Sequence, residues 1–334
     1  MGREDINQSE KEELLEVAVI GCGRAGNRRI QAVLEYPGCH LALAVDSDSP
    51  VLTACRDSLP DDVLTADSLD QALAGRSVDI AIISTPPGLH EAQFAACLDA
   101  GVRHVLVEKP LAGDAEAARR MVARAGREGV HLKVGSNLRQ FAEVRALLAL
   151  ASEGQLGTIR ESRFNIGHDG SALAPWAEDV SQAGGGTLLD NGVHVIDLAT
   201  QLGALPEEYA VQANVDWLCH GIDRHACWTL KGERAVCEFS SSWTRSDGVY
   251  LDASVVSDNG EATLVIGGPD SGLTVRLSSG YQPVLPPGGN SWTADTHHFL
   301  DHCFGGRSSG ATGQEGAAAL AVVDSVYCAA QQGV

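Results

Sequence analysis

Residues 17–26 of this 334-residue chain read Val-Ala-Val-Ile-Gly-Cys-Gly-Arg-Ala-Gly, and this stretch decides the fold. A short apolar run rich in β-branched residues, typical of a buried strand, leads directly into a Gly-x-Gly-x-x-Gly turn. A helical pattern over residues 25–36 follows the turn. The glycines permit a tight turn and let a pyrophosphate approach the free amides at the helix N-terminus. The stretch therefore predicts a strand–turn–helix unit that binds a dinucleotide.

Strand-like and helical patterns alternate along the first 137 residues. They predict strands at residues 17–20, 41–45, 78–84, 104–107 and 132–134, and helices at residues 25–36, 89–100 and 114–128. Such alternation is typical of parallel strands joined by right-handed crossovers. We therefore expect an α/β fold whose N-terminal Rossmann domain, a doubly wound parallel sheet, covers residues 15–137. A disordered acidic tail is expected over residues 1–14.

The pattern changes after residue 137. One predicted helix at residues 143–153 is followed by longer, more polar strand-like runs that continue into the 270s. These runs predict a C-terminal α+β domain over residues 138–334, built on a largely antiparallel open sheet and serving substrate binding and oligomerisation. An exposed apolar face of that sheet would need a cover, so we expect a homodimer or homotetramer.

Charge and cysteine content limit the partners and the compartment. The chain has 24 Lys and Arg against 44 Asp and Glu, a formal net charge of −20, which repels nucleic acids and anionic membrane surfaces. The nine cysteines are scattered, with no Cys-x-x-Cys pair and no zinc-like spacing. The first 16 residues lack the apolar core of a signal peptide, and no apolar run approaches the length of a membrane helix. We therefore expect a cytoplasmic protein that partners neither nucleic acid nor membrane.

Asp46 stands at the end of the second predicted strand and favours one dinucleotide. A carboxylate there can accept hydrogen bonds from an adenosine ribose diol and would repel a 2′-phosphate, so NAD is favoured over NADP. The alternative is a turn-forming Asp in a flavodoxin-like sheet. Thr85-Pro86-Pro87 after a later strand is interpreted as a stiff loop at the cofactor edge, or as a plain strand-ending turn.

Lys109 is one of only four lysines in the chain, and it follows the apolar run of residues 105–107 within Glu108-Lys109-Pro110. An ammonium at the end of a buried strand lies at the edge where α/β sheets bind their ligands. This position indicates chemistry more than packing.

A second candidate motif runs through residues 184–197, which read Gly-Gly-Gly-Thr-Leu-Leu-Asp-Asn-Gly-Val-His-Val-Ile-Asp. On a helix, Asp190, His194 and Asp197 would share one face, where a carboxylate pair could orient the imidazole. The structural alternatives are a capping box between Thr187 and Asp190 and an ordinary core histidine.

Taken in order, residues 17–26, 108–112 and 184–197 resemble the glucose–fructose oxidoreductase/inositol dehydrogenase/rhizopine-catabolism (GFO/IDH/MocA) family of NAD(P)-dependent sugar and cyclitol dehydrogenases. The resemblance extends over roughly residues 17–203. It implies a catalytic triad of Lys109, Asp190 and His194 around the nicotinamide and the reacting carbon, and a cis Lys109–Pro110 bond.

The resemblance and the motifs together give the expected site residues. The expected NAD contacts lie at the carboxyl ends of the first-domain strands and are Gly21, Gly23, Arg24, Ala25, Gly26, Asp46, Thr85, Pro86, His90, Glu108 and Lys109. The expected substrate contacts are Arg139, His168, Trp176, Asp190 and His194. Arg139 has a helix-capping alternative. Trp176 is followed by Ala177 where many relatives carry Arg, so a substrate carboxylate or phosphate has no obvious partner.

The expected activity is hydride transfer between nicotinamide and a secondary hydroxyl or keto carbon of a sugar, cyclitol or aminosugar. The acidic charge balance and His168 motivate the aminosugar. The alternatives are an NAD-retaining glycosidase of the same fold and a non-catalytic sugar- and dinucleotide-sensing regulator. His298 and His302 have the i, i+4 spacing of zinc ligands but lack a third ligand, so no metal is expected.

Overall fold

The computed structural model describes residues 14–306 and 310–332, so the expected acidic tail lies outside the described residues except for Leu14. The first half alternates strands and helices in chain order: β1 (Leu15–Ile20), α1 (Arg24–Leu34), β2 (Cys39–Val45), α2 (Ser49–Arg56), β3 (Leu64–Ala66), α3 (Leu69–Leu73), β4 (Ile80–Ile83), α4 (His90–Asp99), β5 (His104–Glu108), α5 (Ala115–Glu128) and β6 (His131–Gly135). The predicted doubly wound sheet is confirmed. β3, α2 and α3 were not predicted, because each is only three to eight residues long.

The second half forms a separate sheet. Its elements are α6 (Ala142–Ser152), β7 (Ile159–Gly167), α7 (Val180–Ala183), α8 (Val193–Gln201), β8 (Ala210–Cys219), β9 (Ile222–Lys231), β10 (Val236–Ser242), β11 (Val249–Ser257), β12 (Gly260–Gly267) and β13 (Gly272–Leu277). The strand order is β13-β12-β11-β7-β10-β9-β8. β7 and β10 pair in parallel and the other neighbours pair antiparallel, which confirms the largely antiparallel sheet.

The C-terminal segment returns to the first sheet. It comprises α9 (Ser291–Cys303), β14 (Ala311–Thr312) and α10 (Gly313–Gln332). β14 pairs with β6, so the first sheet has the order β14-β6-β5-β4-β1-β2-β3. Phe299 and Leu300 of α9 pack among the buried side chains of β1 and α1. The expectation that all of residues 138–334 would belong to the second domain is therefore wrong for α9 and β14, as is the placement of the His298 helix there.

The open face of the second sheet is polar. Side chains alternate along its strands, and the buried ones pack in one core with α6, α8 and α10. On the other face Arg163 pairs with Glu238 at 2.7 Å and Asn165 donates to Asp252 at 2.7 Å. The expectation of an exposed apolar face on this sheet is therefore wrong. In the part of the chain that the structure describes, no helix is long and apolar enough to cross a membrane.

Four charged side chains are buried together where α1, β5, β6 and α9 meet. Arg29 lies 2.5 Å from Glu108 and 2.8 Å from Asp295, and Lys133 lies 3.0 Å from Asp295. Their exposed fractions are 5% or less. Two cations and two anions balance, which buried charges require because desolvation costs several kcal/mol per ion. The cluster joins the returning helix α9 to the strand that carries Lys109.

We expect Asp295→Ala to lower the free energy of unfolding by about 3–5 kcal/mol, because Arg29 and Lys133 would be left with Glu108 as their only buried counter-ion. Urea unfolding followed by circular dichroism measures this loss. The control is Glu238→Ala on the open sheet face, which removes half of an exposed pair and should cost about 0–1 kcal/mol. Equal losses for the two variants would contradict the structural role of the cluster.

Candidate active site

The glycine turn after β1 is closely packed at Gly21 and Gly26 and open at Gly23. Gly21 has φ +89°, and a Cβ there would lie 2.7 Å from the Ser84 backbone. A Cβ on Gly26 would overlap the Gly21 carbonyl group. Gly23 faces open space, with no heavy atom within 4 Å of an added Cβ, and no side chain caps the N-terminus of α1. The turn thus leaves free helix amides and an open approach, which fits a dinucleotide pyrophosphate.

Asp46 fastens this turn to the end of β2. Its carboxylate accepts hydrogen bonds from the Cys22 amide at 2.7 Å and the Asp48 amide at 2.9 Å. Each carboxylate oxygen has two lone pairs, so acceptor capacity remains for a ribose diol. Arg24 and Ala25 open α1 beside it, with Arg24 exposed and Ala25 half-buried.

His90 connects the loop after β4 to the loop after β5. Its Nε2 lies 2.8 Å from the Thr85 carbonyl and its Nδ1 lies 3.1 Å from the Pro110 carbonyl. The ring has no exposed surface, and burial lowers the pKa of His90. The cofactor contact of His90 stays a prediction, and the recorded contacts of the ring are with the two loops. Thr85 and Pro86 are half-buried at the loop that the ring supports.

The Glu108 carboxylate contacts two neighbouring groups of the protein. One carboxylate oxygen accepts from Arg29 Nε at 2.7 Å and the other lies 3.3 Å from the Lys109 amide nitrogen. Its cofactor contact stays a prediction. Glu108 is the last residue of β5 and turns into the buried charge cluster, whereas Lys109 follows the strand and bonds to Asp190.

Lys109 and Asp190 form an ion pair between the two sheets. The Lys109 ammonium donates to the Asp190 carboxylate at 2.6 Å and to the Asp190 backbone carbonyl at 2.9 Å. The Lys109–Pro110 bond is cis, as the resemblance implied. His194 lines the same cavity as Lys109, a space of about 30 Å³ that Ser136 and Asp197 also border. The structure therefore brings Lys109, Asp190 and His194 together.

Asp190 lies in a single wide helical turn, Leu188–Gly192, whose hydrogen bonds span five residues, and α8 follows it. Such π-type turns are rare and frequently occur at functional sites. The Thr187 hydroxyl accepts from Asn191 at 3.1 Å, so the capping box with Asp190 is wrong. The expected carboxylate pair around His194 is wrong as well, because Asp197 pairs with Arg139 instead.

Burial and neighbouring charges shift the pKa values of this site, and for Lys109 and Asp190 the two effects act in opposite directions. Burial raises the pKa of Asp190, but the Lys109 ammonium and the donors around the carboxylate hold it well below its usual value. Burial lowers the pKa of Lys109, but Asp190 raises it above its usual value overall. Burial and then the Lys109 charge lower the pKa of His194 to about 3. Near neutral pH the site therefore holds an ammonium, a carboxylate and a neutral imidazole.

Three further side chains surround Asp190. Trp243 donates its Nε1–H to the Asp190 carboxylate at 3.2 Å, and His168 Nε2 lies 3.6 Å from it. The Lys109 and Asp190 charges also act on the pKa of Tyr250, which burial raises to about 12. The sequence pointed to His168 but missed Trp243 and Tyr250, since nothing local to either residue indicates which strand end faces the cleft.

Two other residues predicted to contact substrate, Arg139 and Trp176, form no hydrogen bond with Lys109, Asp190 or His194 in the described structure. Arg139 pairs with Asp197 and, at 3.4 Å, with Glu315. Its side chain caps no helix, so that alternative is wrong, and a substrate contact stays a prediction. Trp176 is 39% exposed in the loop before α7, and its substrate role also stays a prediction.

The fold and this cleft define a class: a Rossmann-type, dinucleotide-binding protein whose second sheet closes the site. The family described as "Oxidoreductase family, NAD-binding Rossmann fold" matches residues 15–136, and the GFO/IDH/MocA C-terminal domain matches residues 141–263. The chain therefore belongs to the GFO/IDH/MocA family of oxidoreductases. It carries that family's NAD-binding Rossmann domain.

Two curated relatives carry the name of an inositol or of a sugar derivative. The chain is 29% identical over 236 residues to scyllo-inositol 2-dehydrogenase (NADP(+)) of Bacillus subtilis, covering 69% of this chain and 62% of that one. It is 37% identical over 131 residues to 1,5-anhydro-D-fructose reductase of Ensifer adhaerens, covering 39% of each. The chain thus spans less than two thirds of the length of these two curated relatives.

A solved structure matches nearly the whole chain. GenD2 from gentamicin A biosynthesis, crystallised in complex with NAD, aligns with a TM-score of 0.82 and 25% identity, covering 96% of this chain and 95% of that one. The match includes both sheets.

We expect Lys109→Met to raise the pKa of His194 above about 3, because the variant removes a repelling positive charge and keeps Asp190, whose charge raises that pKa. An NMR titration of ¹⁵N-histidine-labelled protein measures the change. The matched control is Lys231→Met, at the far end of β9, which should leave the His194 titration unchanged. A His194 pKa that is equal in parent and Lys109→Met would show that the ammonium does not act on the imidazole.

Proposed function

We propose that this protein is an NAD-dependent dehydrogenase that moves hydride between nicotinamide and a secondary hydroxyl or keto carbon of a sugar, cyclitol or aminosugar. The observation that carries the proposal is the Lys109–Asp190 ion pair beside a neutral, buried His194, in a cleft next to the open glycine turn. An ion pair alone is common in proteins. An ion pair that holds an ammonium next to an uncharged imidazole in a cleft supports acid–base chemistry.

The cofactor site is assigned to the first sheet. In this proposal the amides of residues 23–26 hold the pyrophosphate and the Asp46 carboxylate holds the adenosine ribose. Bound NAD supplies the hydride acceptor, which no side chain provides.

Each triad residue has a separate task. As the substrate carbon loses hydride, its hydroxyl proton must leave, and the neutral His194 ring accepts it at a nitrogen. The Lys109 ammonium donates a hydrogen bond to the same oxygen and stabilises its developing negative charge. Asp190 keeps Lys109 charged and in position. Because the three groups are coupled, the pKa values seen in a pH–rate profile belong to the set.

An aminosugar or aminocyclitol is the substrate class that the charges support. The segment of residues 168–183 carries Asp169, Glu178 and Asp179 and contains no lysine or arginine. This segment packs against the cofactor-side loop, since a Cβ on Gly88 would overlap the Ser181 carbonyl. In this proposal the negative charge of the segment faces the substrate and favours a cation. The similarity to GenD2, whose printed origin is gentamicin A biosynthesis, supports the same class.

Compartment and assembly stay predictions within this proposal. All nine cysteines are free thiols, which suits the reducing cytoplasm. A homodimer or homotetramer would have to use the polar face of the second sheet, whose ion pairs suit a hydrogen-bonded interface more than an apolar one.

The test of the activity is NADH absorbance during incubation with NAD and a panel of inositols, neutral sugars, aminosugars and aminocyclitols. We expect net NADH formation, greatest with an amino compound. Lys109→Ala should reduce turnover by about 10²-fold or more while NAD still binds, because charge stabilisation of the oxygen is lost. Lys231→Ala is the control and should keep full activity.

Other outcomes would separate the alternatives. Glycan cleavage without net NADH would replace the dehydrogenase by an NAD-retaining glycosidase. Tight NAD binding with neither reaction would indicate a regulator. Preference for a neutral or anionic sugar would remove the amino-compound proposal while leaving the dehydrogenase.

Asp46→Ala should weaken the preference for NAD over NADP, because the variant removes the carboxylate that repels a 2′-phosphate. The ratio of NAD to NADP dissociation constants, measured by quenching of protein fluorescence, reports this change. Asp62→Ala, at an exposed carboxylate that follows α2, is the control. An unchanged ratio in Asp46→Ala would remove Asp46 from the ribose site.

A further inference from the structure

The three glycines before the Asp190 turn each meet a different part of the molecule. A Cβ on Gly184 would overlap the backbone of Gly113, in the loop that follows the cis peptide. A Cβ on Gly185 would lie 2.6 Å from the Tyr327 hydroxyl of α10, and one on Gly186 would overlap the Asp223 backbone of β9. Residues 184–186 therefore lie where the loop after the cis peptide, α10 and β9 all contact the start of the Asp190 turn.

The Asp223 side chain also contacts the start of the Asp190 turn. The carboxylate has no exposed surface, and it accepts hydrogen bonds from the Gly186 amide at 3.0 Å and the Leu188 amide at 2.9 Å. The first amides of a helix lack partners within the helix, and no side chain of the turn itself caps them. Asp223 thus caps the turn from a neighbouring strand.

Tyr327 holds the carboxylate from the other side. Its hydroxyl donates to Asp223 at 2.5 Å and lies 3.3 Å from the Gly186 amide nitrogen. The Trp217 ring stacks on the Tyr327 ring with centroids 5.5 Å apart. The C-terminal helix is therefore connected to the start of the Asp190 turn through one buried carboxylate.

We propose that Asp223, with Tyr327, is a positioning residue that sets Asp190 and His194 in place against Lys109. The inference rests on the proposed function. Lys109 bonds to both the carboxylate and the backbone carbonyl of Asp190, so any movement of the turn changes both bonds. A displacement of 1 Å in a reacting site can cost about 10²-fold in rate. Removal of the Asp223 carboxylate would leave the buried Leu188 amide without its acceptor and the Gly186 amide with the Tyr327 hydroxyl alone, which would release the turn.

The test compares three variants. Asp223→Asn replaces one acceptor oxygen with an NH2 group, which would face a backbone N–H or hydroxyl donor. We expect kcat to fall by about 10²-fold with NAD affinity within twofold of the parent. Tyr327→Phe removes one of the three donors and should lower kcat by roughly tenfold, a smaller effect that keeps the test valid if Asp223→Asn folds poorly. Tyr36→Phe is the matched control. It breaks a similar Tyr–Asp bond, to Asp301 at 2.8 Å, far from the triad and should leave kcat unchanged.

A second measurement does not depend on turnover. In Asp223→Asn and Tyr327→Phe the His194 pKa should rise from about 3, because a released turn admits water to the buried ring. If the parent oxidises no compound of the panel, the proposed function fails and this NMR titration still tests the positioning role. The inference is overturned if both variants keep the parent's kcat per folded molecule, or, without turnover, its His194 titration. It is also overturned if Tyr36→Phe lowers kcat as much as Tyr327→Phe.

Discussion

The ion pair between Lys109 and Asp190 is the interaction on which the rest of the cleft depends. It is the direct bond between the end of β5 in the first sheet and the wide turn that precedes α8. Because the ammonium also bonds to the Asp190 carbonyl, it fixes the backbone of that turn as well as its side chain. Burial, and then the same charge, lower the pKa of His194. One lysine thus fixes the geometry of the site and contributes to its protonation.

Lys109 adjoins a residue that is fixed in the interior. Glu108 points into the interior, where Arg29 binds it and Asp295 and Lys133 complete a neutral cluster. The next residue, Lys109, follows the strand and bonds to Asp190 across the cleft. Since Asp295 belongs to α9, the returning C-terminal segment takes part in holding the strand end. This connection explains why a helix so late in the chain packs on the first sheet.

The sequence predicted what local patterns encode. The strand–turn–helix of residues 17–26 and the alternation after it are sufficient for the Rossmann half, and three motifs in order were sufficient for the family. The sequence could not give side-chain direction, so it could not indicate that Glu108 turns into the buried charge cluster. It also could not give contacts between distant residues. Asp223 and Tyr327 are 104 positions apart, and no pattern near either one indicates that they meet.

The Arg29 cluster and the Lys109 cluster differ in exposure and in how their charges are paired. The Arg29 cluster is at most 5% exposed, and each of its charges faces an opposite charge. The Lys109 cluster opens to the cleft, with side-chain exposures of 23% for Lys109 and 33% for Asp190. It also contains His194, a buried imidazole that its neighbouring cation disfavours in the charged form. A neutral imidazole beside a fixed cation is an arrangement that fits the proposed removal of a proton from a substrate hydroxyl.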